Sequence, residues 1–366
     1  MAYTKLQQPT TPNVTGTKLL YTVSSSNANN NQFSYVADLY DTSPTGSDYS
    51  SRFKFSANTQ GTGNIDLAKQ FGDYLDYDYN WDISNVSSLP NSVKSLTVRF
   101  GEEYSTSNSG SVTVYPGLSD SVLKLFKGNV YPSEATNGFN WTSQPILTNS
   151  PTTQSFSADE YLTATVYDSD VSVEYYLTGS LTATENYVSA GAFRAIPISP
   201  LNISNYTESD AIVLNVTGSS IRYEVNNDCR SDRLRLAFIN KFGFWDYYTN
   251  NTAVRKSTKV DRKIYGQDMA DFSLRETQYN ISNRGDKQYL VQYTDEFEFT
   301  TDSVTSETSQ WLREMFESSE VFIQSGSNFI PINLLNTTET IVNSTARYKN
   351  YQYTVKYQFS NLRDSR

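Results

Sequence analysis

Hydrophobic and polar residues alternate along most of this chain. Phe33, Tyr35, Ala37 and Leu39 flank Ser34, Val36 and Asp38, an imperfect alternation, and Leu96, Val98 and Phe100 are spaced by Thr97 and Arg99. Leu162, Ala164 and Val166 repeat the pattern, followed by Val171, Val173, Tyr175 and Leu177. Ile212, Leu214 and Val216 lead across Gly218-Ser219-Ser220 into Ile221, Tyr223 and Val225. The strictest run comes near the end, where Tyr351, Tyr353, Val355, Tyr357 and Phe359 alternate with Gln352, Thr354, Lys356 and Gln358. A period of two puts successive side chains on opposite faces, so each run predicts a strand with one buried and one wet face. Turn clusters separate the runs. The pattern predicts a mainly β chain of two or three antiparallel sandwich-like domains, not a parallel α/β sheet.

Two segments change period. Asn64 to Leu75 sets Leu67, Ala68, Phe71 and Leu75 at helical spacing, with Asn64 as the N-cap. Ser303 to Ser318 sets Val304, Thr308, Trp311, Leu312, Met315 and Phe316 on one face. These predict one helix in the first domain and one in the last, each laid on a sheet. The predicted boundaries are an N-terminal arm at 1–14, a β-domain at 15–118, a middle β-region at 119–225 and a C-terminal β-domain with its helix at 226–366. No repeat of fixed period is visible.

Composition supports strands: 28 Tyr and 19 Phe stand against 3 Met, and aromatic residues favour pleated, half-buried surfaces. The net charge of -10 repels phosphates, so neither nucleic acid nor an anionic membrane is an expected partner. No apolar run approaches the ~18 residues of a membrane-spanning helix, so membrane insertion is not expected. The polar start, Met1 to Gly16, has no apolar segment that would direct export. Cys229 is the only cysteine, which rules out a disulfide framework within one chain and fits a reducing compartment. The Asn-x-Ser/Thr triplets at Asn13, Asn140, Asn205, Asn215 and Asn343 read as chance in a chain so rich in these residues.

Catalytic chemistry finds little footing. The chain has no His, which removes the Ser-His-Asp and Cys-His nucleophile systems and the usual catalytic zinc ligand. Cys229, beside Arg230, reads as structural. Gly61-Thr62-Gly63 is only a fragment of a phosphate-cradling loop. Asp76, Asp78, Asn80 and Asp82 are spaced like the first half of a calcium loop. Trp81 then stands where the sharp turn needs Gly, and Ser87 where the bidentate Glu belongs, so the stretch reads as a solvated turn. Paired carboxylates for glycoside hydrolysis are a spatial matter and leave a carbohydrate-processing enzyme as an alternative. No catalytic, cofactor-binding or metal-ligating residue is assigned, no cofactor is expected, and the chain is read as a non-enzyme.

Leu234 to Tyr248 has the most local character. It predicts a hairpin turning at Asn240, Lys241 and Gly243, with Phe244, Trp245, Tyr247 and Tyr248 crowded on its second arm. Core anchoring is its expected role, with an aromatic patch for a neighbour as the alternative. Phe238 to Tyr248 resembles a hairpin of structural proteins of tailed bacteriophages, including those of gut and marine phages. Phe100-Gly101-Glu102-Glu103-Tyr104, Trp311 to Val321 and the Tyr351 to Phe359 strand extend the resemblance. It implies a neck, tail or ring component of the virion, assembled in the bacterial cytoplasm with other virion proteins as a symmetric homo-oligomer. A receptor- or glycan-binding tail protein and a capsid-decorating protein are the alternatives.

Overall fold

The alternating runs form strands, among them Asn31–Tyr40, Val93–Ser105, Thr163–Tyr167, Val171–Leu177, Ala211–Val216, Ser219–Val225 and Thr354–Phe359. In the computed structural model the described residues are 3–41, 49–106, 112–130, 144–189, 191–203, 208–226, 233–266, 270–272, 277–279, 282, 285–336 and 351–360. The fold is mainly β, with several antiparallel sheets and two helices, as the alternation predicts. Cys229, Asn140, Asn205 and Asn343 lie outside the described residues.

Two compact units divide the chain: Met1–Asn227 with Phe238–Tyr247, and Asp228–Ala237 with Tyr248–Arg366. Among the described residues the first unit contains four sheets, two of them packed on one core. That core joins the five strands Asn13–Val14, Thr113–Phe126, Val93–Ser105, Asn31–Tyr40 and Ser51–Phe55, in that order, to the three strands Tyr3–Gln7, Leu20–Ser25 and Thr62–Asp66. Tyr21, Tyr35, Leu39, Val98, Phe100 and Leu125 are fully buried there. The imperfect alternation at Tyr35 to Tyr40 has a cause: all six residues are buried, so the strand is covered on both faces. Asp38 is tolerated inside because Arg52 grips it with two hydrogen bonds of 2.6 and 2.7 Å. Thr113–Phe126 runs unbroken across positions 118 and 119, and Tyr3–Gln7 pairs with Leu20–Ser25 of its own unit.

The unit also holds a five-stranded sheet of Thr153–Phe156, Ser219–Val225, Ala211–Val216, Val171–Leu177 and Ser180–Tyr187, in that order, and a small sheet of Thr163–Tyr167, Phe193–Pro197 and Ser87–Ser88. Two short contacts are parallel, Asn13–Val14 on Leu125–Phe126 and Thr153–Phe156 on Arg222–Val225. The hairpin tip Phe238–Tyr247 belongs to this unit, with Phe242 and Phe244 buried beside Phe126, Phe193 and Leu147.

The first helix is shorter than its spacing predicts. Asn64 is a strand residue, since Thr62–Asp66 pairs with Leu20–Ser25, and the Thr22 hydroxyl donates to Asn64 Oδ1 at 2.7 Å. The helix, α1, covers only Ala68–Gly72. Its N-cap is Leu67, without a side-chain cap bond, while Asp66 Oδ1 accepts from the Ala68 amide at 3.1 Å and the Leu19 amide at 3.0 Å. Leu67, Phe71 and Leu75 are buried together, so the apolar spacing was meaningful even though the helix is one turn and a half.

The second unit is built on a sheet in which Val321–Ser325, Asn328–Leu334, Thr354–Phe359, Asp286–Thr300 and Arg255–Gly266 lie side by side in that order. Its helix, α2, spans Ser306–Glu317 and starts at Thr305, whose hydroxyl accepts from the Thr308 amide. Trp311, Leu312 and Met315 are buried on the side the periodicity assigns. Tyr353 meets the helix twice, by a hydroxyl contact with Ser309 and by a ring contact with Phe316 at 5.9 Å.

Candidate interaction surface

The sequence assigns no site residue; of the motifs weighed as candidates, Cys229 lies outside the described residues and the acidic series at Asp78 is framework. Asp78, from the calcium-like spacing, is buried. Its carboxylate accepts from the Ser92 amide at 2.7 Å, the Asn91 amide at 3.0 Å and the Asn91 side chain at 2.8 Å. Those donors leave the carboxylate bracing one loop against another. Its carbonyl also accepts from the Trp245 indole at 2.7 Å. Tyr79, Trp81 and Trp245 then pack ring against ring, with centroids 5.0 to 5.6 Å apart. Glu102 and Glu103 are both buried but, as strand neighbours, point to opposite faces. Glu102 accepts from Asn27 at 2.7 Å, and Glu103 pairs with Lys54 at 2.7 Å. These carboxylates hold the fold.

The aromatic hairpin likewise serves the core. The Asn240 amide donates to the Phe244 carbonyl at 2.8 Å, closing a loop over Lys241, Phe242 and Gly243. Gly243 is left-handed, with φ +84°. A Cβ there would lie 1.2 Å from the Lys127 carbonyl, and one on Gly128 would lie 2.6 Å from the Phe242 backbone. Gly16 completes the set, since its Cβ would sit 2.1 Å from the Gly128 carbonyl. Three glycines thus let three stretches of backbone touch.

One element of the second unit is different. Arg255–Gly266 and Asp286–Thr300 form a long antiparallel ribbon, and every residue of its first strand is exposed. The root is anchored: Phe299 is buried, and Phe297 stacks on Tyr357 at 5.2 Å and meets Phe359 at 5.1 Å. Pairing with Thr354–Phe359 stops at Phe297, so the ribbon continues alone for roughly 30 Å at about 3.4 Å per residue. Cross-strand partners share a face. On that rule Val260, Tyr293, Val291 and Arg262 lie together on one face, with Ile264 next along it, while Lys259, Asp261, Lys263, Leu290 and Glu296 lie on the other. The register slips once, between Lys263 and Ile264, and Tyr265 and Tyr289 meet there with ring centroids at 6.0 Å. Ile264 is 55 % exposed and Tyr289 61 % exposed. Apolar side chains gathered on one face of an isolated ribbon mark a contact surface. In the sequence, Tyr289, Val291, Tyr293, Phe297 and Phe299 carry the period of two of the ribbon's inner strand.

A second concave feature lies in the first unit. It is an open groove of about 640 Å³ at the ends of neighbouring strands, lined among others by Asp170, Ser172, Asn186, Tyr187, Asn215 and Ser219. Val171, Val188 and Val216 line it as well, beside these polar groups. Asp170 is the only carboxylate among the described lining residues, whereas acid–base glycoside hydrolysis uses two.

No protein-family model matches the chain, and no curated protein matches it either.

Proposed function

We propose that the protein is a structural component of a tailed bacteriophage virion, in the neck or tail, acting through protein–protein assembly and not through catalysis. The observation that carries this reading is the exposed ribbon, whose apolar face needs a neighbour to leave water. The resemblance of Phe238 to Tyr248 and of the Tyr351 to Phe359 strand to phage structural proteins supplies the setting. On this reading the partners are other virion proteins and further copies of the same chain, and the place of action is the particle. Quantitative mass spectrometry of purified virions, normalised to the major capsid protein, tests it. A fixed ratio of about six or twelve copies per particle fits a ring of cyclic symmetry. Hundreds of copies would move the protein to the capsid surface, and absence from particles would overturn the reading.

The groove at Asp170 and Asn186 favours a second reading, a receptor- or glycan-binding tail protein. Saturable binding of host-surface glycans by the isolated protein, lost in Asn186→Ala, is its expected signature.

A further inference from the structure

The ribbon has two edges of opposite sign. Its outer strand, last in the sheet, carries Arg255, Lys256, Lys259, Arg262 and Lys263 against the single acid Asp261. Its inner strand carries Asp286, Asp295, Glu296 and Glu298 against the single base Lys287. Among the described residues, the stretch from Asp286 to Glu296 pairs only with the outer strand, so its other edge is open. Pairing within the sheet uses only part of this charge: Lys256 lies 2.7 Å from Asp295, Arg255 stands opposite Glu298, and Lys356 lies 3.3 Å from Glu298. Lys259, Arg262 and Lys263 stand opposite Thr294, Val291 and Leu290.

An exposed strand edge is a template for another strand, and proteins guard such edges with charge. A guard against self-pairing needs one sign on both edges, so that copies repel. Here the edges of two copies attract. We propose that the basic edge of one chain pairs antiparallel with the acidic edge of the next, joining identical chains head to tail through their ribbons. The inference rests on the assembly reading and adds what the ribbon binds, a second copy of this chain.

The register allows it. An even slip relative to the ribbon's own register keeps every side chain on its face and every outward amide and carbonyl aligned. A slip of two residues in one direction sets Lys259 against Glu296. In the other direction it sets Arg255 against Glu296. Neither places like charges opposite one another. The apolar face of Val260, Ile264, Val291 and Tyr293 becomes continuous from copy to copy. A head-to-tail contact of this kind closes into a ring or runs on as a filament.

Sedimentation velocity of the full-length protein at micromolar concentration tests the proposal. The wild type forms multimers that dissociate at high salt. K259E/R262E/K263E makes both edges acidic, and D286K/E296K makes both basic while leaving the Lys256–Asp295 pair within the chain intact. Each variant alone is expected to raise the apparent dissociation constant at least tenfold and to sediment as a monomer. An equal mixture of the two recovers multimers, which a misfolded variant cannot do. A monomeric wild type, a variant that assembles like the wild type, or a mixture that stays monomeric while both components keep native circular dichroism would each overturn it. If virions contain the protein but charge reversal leaves assembly unchanged, the edge pairing fails and the assembly reading stands. If the edges pair but virions lack the protein, the virion reading fails alone.

Discussion

Asp78 shows how far spacing alone can mislead about a carboxylate. Its place in an Asp-x-Asp-x-Asn-x-Asp series is visible in the sequence, but the donors that occupy it, Asn91 and Ser92, are loop residues whose approach no local pattern announces. Asp78→Ala leaves the buried Ser92 amide without its acceptor. The first unit should lose about 2–3 kcal/mol, read as a lower urea midpoint at unchanged slope. A chelator should leave the melting temperature of the wild type unchanged, because protein donors already fill this carboxylate. Gly243 is the opposite case: its turn role could be read from Asn240-Lys241-Phe242-Gly243, while the backbone of Lys127 lying against it could not. Gly243→Ala combines a left-handed residue with a clash against a carbonyl, and should cost about 3–5 kcal/mol in the same measurement.

Elements were readable where one face is buried and the other wet, as in Val171–Leu177 and Thr354–Phe359. They were misread where a second rule applied. Asn64 looks like a cap because it precedes helical spacing, but strand pairing with Thr22 claims it first. The outer strand of the ribbon gave no signal because burial on neither side selects an apolar period, and its twelve residues are exposed throughout. That exposure has a thermodynamic corollary. Replacing Thr258 to Asp295 by a two-residue Asn-Gly turn removes no fully buried described residue and keeps the Phe297 and Phe299 anchor. The shortened protein should melt within about 3 °C of the wild type while losing self-association, a dissociation of stability from assembly that calorimetry and sedimentation can separate.

For the whole molecule, the absence of His and the abundance of Tyr set the response to pH. No side chain has an ordinary pKa near 6.5, so stability should be nearly flat across neutral pH. At alkaline pH the tyrosines take over. Burial pushes the Tyr357 phenol up to about 12, and burial followed by the charge of Asp302 raises Tyr248 further. A folded-state pKa above the unfolded value of about 10 means that the contribution is complete below pH 10 and is lost as pH rises toward 12. Tyr357→Phe should therefore blunt the alkaline loss of stability without changing it at pH 7, as followed by denaturant midpoints at both pH values.

The contact among Gly16, Gly128 and Gly243 also sets an order in time. The first unit is discontinuous in sequence: its body ends at Asn227, and the tip that seals it arrives only with Phe238–Tyr247. A chain emerging from the ribosome at about 5–20 residues per second therefore holds an unsealed first unit for about one to four seconds. Until then the surfaces of Phe126, Phe193 and Leu147 await Phe242 and Phe244. The moment of closure is written into the position of a single glycine.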